Sequence, residues 1–157
     1  MKVVWAICAI ALTLTGCGEK TDEQLIGSAQ EAVSKELASN YKPGECDNWK
    51  VMASGGVTSN SAAVAVCDND FNVSKGLTFS DLKIYRHDKR AAICGVVSGH
   101  TDVSRIGARF IYTVGDKKIV TIKQSKYPLL SRYKDPANID LMKLQRDQYD
   151  LRAKNCQ

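Results

Sequence analysis

Six cysteines in 157 residues constrain this chain more than any other feature. In a reducing cytosol that number asks for metal or redox chemistry, and in an oxidising compartment it asks for disulfides. The length fits one domain. With 25% charged and 44% apolar residues, the composition suits a folded core, and no stretch of about 18 apolar residues exists to span a bilayer. The compartment is therefore the first question, and the N-terminus bears on it.

Met1-Lys2 is a short cationic start, followed by twelve residues, 3–14, of which only Thr13 is polar, and then Thr15-Gly16-Cys17. That is the pattern of a secretory signal peptide. Its apolar run is shorter than the roughly 20 residues a transmembrane helix needs. Leu14-Thr15-Gly16-Cys17 resembles the lipobox of bacterial lipoproteins. The resemblance implies that residues 1–16 are a lipoprotein signal peptide cut before Cys17, that the Cys17 thiol is diacylated, and that the new amino group also takes an acyl chain such as palmitate. The alternative is an ordinary secretory signal that happens to end in Cys. An anchor of two or three chains holds stably, since each buried methylene contributes about 0.8 kcal/mol and a single chain is marginal. Among such lipoproteins an Asp after the lipidated Cys retains the protein in the inner membrane. Gly18 at that place implies the outer membrane, lipid-anchored and facing the periplasm, with the cell surface as the other destination. Residues 17–20 then form the lipidated Cys and a short tether, and residues 21–157 a single domain.

On this reading Cys8 leaves with the signal and Cys17 carries lipid. Cys46, Cys67, Cys94 and Cys156 remain, an even number, which reads as two disulfides. Four cysteines allow three pairings, and chain order favours Cys46 with Cys67 and Cys94 with Cys156. Those would close loops of about 20 and about 60 residues, worth roughly 3 and 4 kcal/mol in the chain-entropy model. A metal site is the rival, but no two of these cysteines are close in sequence to each other or to His87 or His100. No metal and no cofactor is expected.

A helix is expected to begin at Thr21. Thr21-Asp22-Glu23-Gln24 has the capping-box form, and Leu25, Ile26, Ala29, Val33 and Leu37 make one apolar stripe that ends before Pro43-Gly44. Between Cys46 and Cys67 the residues read as short strands: Trp49, Val51 and Ala53 alternate, residues 62–67 are Ala/Val-rich, and Ser54-Gly55-Gly56 breaks them. This predicts a hairpin clipped at its base by a disulfide. The strongest strand signal runs over residues 77–123, as four consecutive antiparallel strands. The first pair, around Leu82-Lys83-Ile84 and residues 93–97, is joined through Arg86-His87-Asp88-Lys89-Arg90. The second pair, residues 108–114 and 118–123, turns at Gly115-Asp116. Residues 126–134 read as a loop containing Tyr127-Pro128. A C-terminal helix follows, capped by Asp135 before Pro136 or by Asn138, with Ile139, Met142, Tyr149 and Ala153 on one face and Leu141, Leu144 and Leu151 beside it. The expected fold class is α+β: an N-terminal helix, an antiparallel sheet of four to six strands, and a C-terminal helix packed on the sheet, with two disulfides.

A second resemblance covers roughly residues 79–156. Phe79-Ser80-Asp81, then Ile93-Cys94-Gly95-Val96-Val97, Arg109-Phe110-Ile111-Tyr112 and the terminal Lys154-Asn155-Cys156 resemble small uncharacterised bacterial envelope proteins with a central Cys-Gly strand and a C-terminal cysteine. The resemblance supports the Cys94 to Cys156 pairing and implies no activity.

No phosphate loop, dinucleotide fingerprint or paired-His motif is present in the sequence. Ser98-Gly99-His100-Thr101-Asp102 holds the residue types of a catalytic triad, but at consecutive spacing, which fits a turn between strands rather than nucleophile, base and orienter. Gly95-Val96-Val97-Ser98-Gly99 puts its Ser one residue late for a nucleophile elbow. Cys67-Asp68-Asn69-Asp70 starts like a calcium loop, yet lacks the glycine and the distal Glu, and reads as a solvated turn. His87 beside Asp88 reads as solvent-facing. Charge is uneven: residues 19–70 hold nine acids and four bases, residues 71–114 three and seven, residues 115–157 five and ten. Lys117, Lys118, Lys123, Lys126, Arg132 and Lys134 form a basic stretch with Tyr127 and Tyr133 interleaved. As a site it would meet a polyanion (cell-wall polymer or anionic lipid headgroups) or an acidic partner, with a solvated face as the plainer reading. Nucleic acid is not expected as a partner in that compartment.

The expected function is that of a membrane-anchored periplasmic lipoprotein, a non-enzymatic binding or structural module of the cell envelope with no catalytic residues, in contact with an envelope protein or cell-wall polymer. One alternative is an inhibitor or exclusion factor that blocks a periplasmic hydrolase, phage or conjugation component with a rigid loop, residues 86–90 or 98–105. The other is an enzyme of unknown type, for which His100, Asp102 and Arg109 would have to line one pocket.

Overall fold

The computed structural model describes residues 20–88, 90–126 and 136–157. The segment expected to be a signal peptide, with Cys8, the expected lipidation site Cys17, Gly18, Lys89, the expected loop residues Tyr127, Pro128, Arg132, Tyr133 and Lys134, and the expected cap Asp135 lie outside the described residues, as do the side chains of Asn138, Ile139 and Met142.

Helix α1, Asp22–Asn40, starts where the capping box places it. Thr21 Oγ1 accepts from the Gln24 N–H at 3.3 Å, and Gln24 Oε1 accepts from the Thr21 N–H at 3.2 Å, so two helix-end donors are satisfied reciprocally. Asp22 and Glu23 occupy the first turn, where the helix dipole favours negative charge. Leu25, Ala29, Val33 and Leu37 are buried as one stripe. Ile26, at its edge, is half-buried.

The segment between Cys46 and Cys67 is helical, not a pair of strands. Helices α2, Glu45–Ser54, and α3, Asn60–Cys67, form a helical hairpin. The expected disulfide does clip it, with the Cα atoms of Cys46 and Cys67 4.7 Å apart. Local chemistry accounts for the difference. Ser59 caps α3 by accepting from the Ala62 N–H at 3.1 Å, and the Ala-rich run that follows has high helix propensity. Glu45 and Asp47 sit in the first turn of α2. Two short helices that bury Cys46, Ala63, Ala65 and Cys67 between them leave no clear helical period in the sequence.

A 3-10 turn at Val73–Lys75 leads into a four-stranded antiparallel meander: β1 Thr78–His87, β2 Arg90–His100, β3 Arg105–Val114 and β4 Ile119–Gln124, in that spatial order. A bulge between Ser80 and Lys83 shifts the β1–β2 register, and Asp81 adopts φ +53° there, a left-handed conformation that Asp tolerates better than most residues. Side chains alternate across the sheet. One face sends Ile93 and Val97 from β2, and Ile106, Ala108, Phe110 and Tyr112 from β3, against the α1 stripe, with Phe71 filling one end. Phe79 meets Phe110 edge to face at 5.8 Å. Gly95 lies against Leu82 and the Phe110 ring. A β-carbon there would stand 2.7 Å from Leu82 Cδ2 and 3.1 Å from the Phe110 ring, so the close approach requires glycine.

The opposite face receives helix α4, Pro136–Ala153, and a terminal 3-10 turn, Lys154–Cys156. Cys94, adjacent to Gly95 and therefore pointing the other way, is bonded to Cys156, with Cα atoms 6.2 Å apart. Arg152 donates to Thr121 Oγ1 at 2.5 Å, and Lys123 pairs with Asp150 at 3.0 Å. Tyr149 and Ala153 are half-buried, whereas Leu141, Leu144 and Leu151 are 48%, 54% and 66% exposed. These three leucines, expected beside the packed face, are exposed instead; the α4 side chains that reach the sheet include Tyr149, Asp150 and Arg152.

Candidate functional site

Asp68, at the C-terminus of α3, gathers residues from the β2–β3 turn and from the chain just after β4. Its Oδ1 accepts from Thr101 Oγ1 at 2.9 Å, from Lys126 Nζ at 2.6 Å and from the Ser104 hydroxyl. Thr101 is fully buried, and its Oγ1 in turn accepts from the Val103 and Ser104 N–H groups, which folds the β2–β3 turn tightly. Next to it, Asp102 Oδ1 accepts from the Tyr41 hydroxyl at 2.9 Å and from Asn72 Nδ2 at 2.7 Å, and Lys75 Nζ donates to the Thr101 and Asp102 carbonyls. The solvated turn expected at Asp68 is thus a partly buried junction. It ties the helical hairpin, the end of α1, the β2–β3 turn and the end of β4 together.

Electrostatics follow from that packing. Burial alone would raise the Asp68 carboxyl, but hydrogen bonds from Lys126, Ser104 and Thr101, with the Lys126 charge, outweigh it and hold it below the ordinary carboxylate range. Asp70 is shifted upward, first by burial and then by the Glu45 charge, against a hydrogen bond from Asn69. The Tyr41 phenol is raised by burial and by its bond to Asp102. Among the described residues no three His, Cys, Asp or Glu side chains converge as metal ligands.

The residues of the Ser98 to Asp102 segment do not act together. Ser98, Gly99 and His100 belong to β2, so only 101–104 are a turn, and Ser98 and His100 are exposed. Asp102 is engaged with Tyr41 and Asn72. Arg109 lies on the α4 side of β3, opposite Val96, on a shallow surface with Cys94, Tyr149 and Cys156. His100, Asp102 and Arg109 therefore line no common pocket. The β2–β3 turn, one of the two loops considered as a protruding inhibitor element, is pinned by Asp68 and Lys75.

The basic stretch separates into two ends of the sheet. Lys126 is paired with Asp68, with side-chain exposures of 29% and 23%, and Lys123 pairs with Asp150 while lying 5.2 Å from the centre of the Tyr149 ring. Lys117 and Lys118 are exposed in the β3–β4 turn, at the far end of β4. There they join a different set of residues. An antiparallel meander puts its first and third turns at the same end, so the β1–β2 turn with Arg86, His87, Asp88 and Arg90 stands beside Asp116, Lys117 and Lys118. Between these turns and the C-terminal segment opens a cleft of about 960 Å³, bordered by His87, Arg90, Ala92, Lys117, Arg152 and Asn155. His87 Nε2 is 3.1 Å from the Asn155 carbonyl, which fixes the chain's end to the first turn. In the sequence, residues 86–90 read as a hairpin end and 117–118 as part of a linear basic stretch. The signal that joins them is the strand count between the two turns. No family model, curated protein or solved structure matches the chain.

Proposed function

We propose that this chain is a lipid-anchored envelope protein, held in the outer membrane by acyl chains on Cys17 and facing the periplasm, and that it acts as a non-enzymatic binding or structural module. The observation that carries this reading is the closure of all four remaining cysteines into two disulfides, an arrangement suited to an oxidising compartment. Two further facts support it. The Leu14-Thr15-Gly16-Cys17 box stands four residues before the α1 cap at Thr21, the spacing of a short tether. The polar cluster around Asp68 and Asp102 spends its hydrogen bonds on joining segments, as a structural junction does.

The test is metabolic labelling with an alkyne-tagged fatty acid, followed by separation of inner and outer membranes. The wild type takes up label and fractionates with the outer membrane, and Cys17→Ala loses the label. Label retained by Cys17→Ala would refute the anchor.

A second reading, an inhibitor or exclusion factor, is favoured by one specific feature. The disulfide-clipped α2–α3 hairpin exposes Val51, Val57 and Val64 at 70%, 78% and 51%. A stiff element with apolar side chains in water suits insertion into a partner. Val51→Lys with Val64→Lys would abolish capture of such a target and leave membrane attachment intact.

A further inference from the structure

We propose that the end of the sheet carrying the β1–β2 and β3–β4 turns docks on the anionic phospholipid headgroups of the leaflet that holds the lipid anchor, and so fixes the orientation of the whole domain. This rests on the lipid-anchor reading above.

Geometry supplies the first argument. Arg86 pairs with Asp22 at 2.7 Å and reaches the Lys20 carbonyl at 3.5 Å, which locates the N-terminus of α1 beside the β1–β2 turn. The Tyr41 to Asp102 bond locates the other end of α1 beside the β2–β3 turn. Cys17 precedes Lys20 by three residues, and three extended residues reach only about 10 Å. Lys20 is therefore leashed within roughly one Debye length of the lipid surface at physiological salt, with the β1–β2 turn beside it and the β3–β4 turn at the same end of the sheet.

Charge supplies the second. Lys20, Arg86, Arg90, Lys117 and Lys118 are all exposed at this end. Asp22, Glu23, Asp88 and Asp116 oppose them, so the described cations at this end outnumber the acids by five to four. Arg86 is engaged with Asp22, whereas Arg90, Lys117 and Lys118 hold no ion pair among the described residues. At the opposite end Asp68 is matched by Lys126, and the Asp102 region by Lys75. Lipid anchoring gains from a basic patch beside the acyl chain, each Lys or Arg at an anionic surface contributing about fivefold in occupancy.

The experiment reconstitutes the acylated full chain into phosphatidylcholine vesicles and into mixed phosphatidylcholine–phosphatidylglycerol vesicles, with flotation and amide hydrogen exchange as readouts. The protein is expected to float with both. Amides of residues 86–88 and 115–118 are expected to exchange at least about fivefold more slowly on the anionic vesicles, and high salt should remove the difference. Arg90→Glu with Lys117→Glu and Lys118→Glu should keep flotation and lose the protection; the salt series on the wild type gives the same reading without a variant. Equal exchange on the two vesicle types, or protection at residues 101–104 instead, overturns the proposal while leaving the anchor standing. Failure to float with either overturns both.

Discussion

Gly95 and Asp68 carry the most structural consequence per atom. At Gly95 the space for a β-carbon is already taken by Leu82 and Phe110, in the layer where β2 and β3 meet α1. Gly95→Ala is expected to cost about 1–3 kcal/mol by overpacking, measured by denaturant unfolding. Asp68 and Asp70, two residues apart, should respond to pH with opposite signs. The folded Asp68 carboxyl titrates below its unfolded value of about 3.9, so its contribution is fully present above that value and is lost as pH falls through the folded one. Asp70 titrates above its unfolded value, so its ionised form opposes folding, and that opposition appears as pH rises through the folded value. At neutral pH Asp68→Asn should lower stability by about 1–3 kcal/mol, as expected for loss of hydrogen bonds to a charged group, and Asp70→Asn should raise it. Unfolding curves from pH 3 to pH 7 check both, and a stabilised Asp68→Asn would contradict the junction described above.

At the level of elements, legibility followed the length and solvent exposure of each segment. The 19-residue α1 buries one face against a sheet, so its period of three and four residues and its capping box were both written in the sequence. The four strands were legible because each has a turn signal and an alternating face. The α2–α3 hairpin was misread because Trp49, Val51 and Ala53 alternate in sequence while the element is a helix of 10 residues burying only Cys46. The cap at Ser59 and the acids Glu45 and Asp47 were the local signals that pointed to helix. Helix α4 is legible in the sequence, but Leu141, Leu144 and Leu151, which its period puts beside the packed face, are exposed. Because Leu144 is exposed, Leu144→Gln should change stability by less than about 0.5 kcal/mol, whereas Val33→Ala in the buried stripe of α1 should cost on the order of 1–3 kcal/mol. Thermal denaturation of the two variants side by side distinguishes an outward leucine from an inward one.

For the whole molecule, the candidate site was least legible, because it depends on which turns share an end of the sheet. Lys117 and Lys126 are nine positions apart in one basic stretch, yet one borders the cleft and the other is sequestered at the opposite end by Asp68. Charge that reads as a run along the chain became two unrelated environments once β4 lay between them. The two disulfides add a consequence of another kind. They close residues 46–67 and 94–156 into separate covalent rings that do not overlap. A protease that cuts the backbone once inside either ring severs no piece from the rest. Apart from loss of the terminal Gln157, only a cut before Cys46, or one between Cys67 and Cys94, divides the molecule, and that second stretch contains the buried Phe71 and Asn72 and all of β1. Chains nicked once inside a ring should therefore run as one band without reductant and as two with it, a durability that comes from ring topology and owes nothing to packing energy.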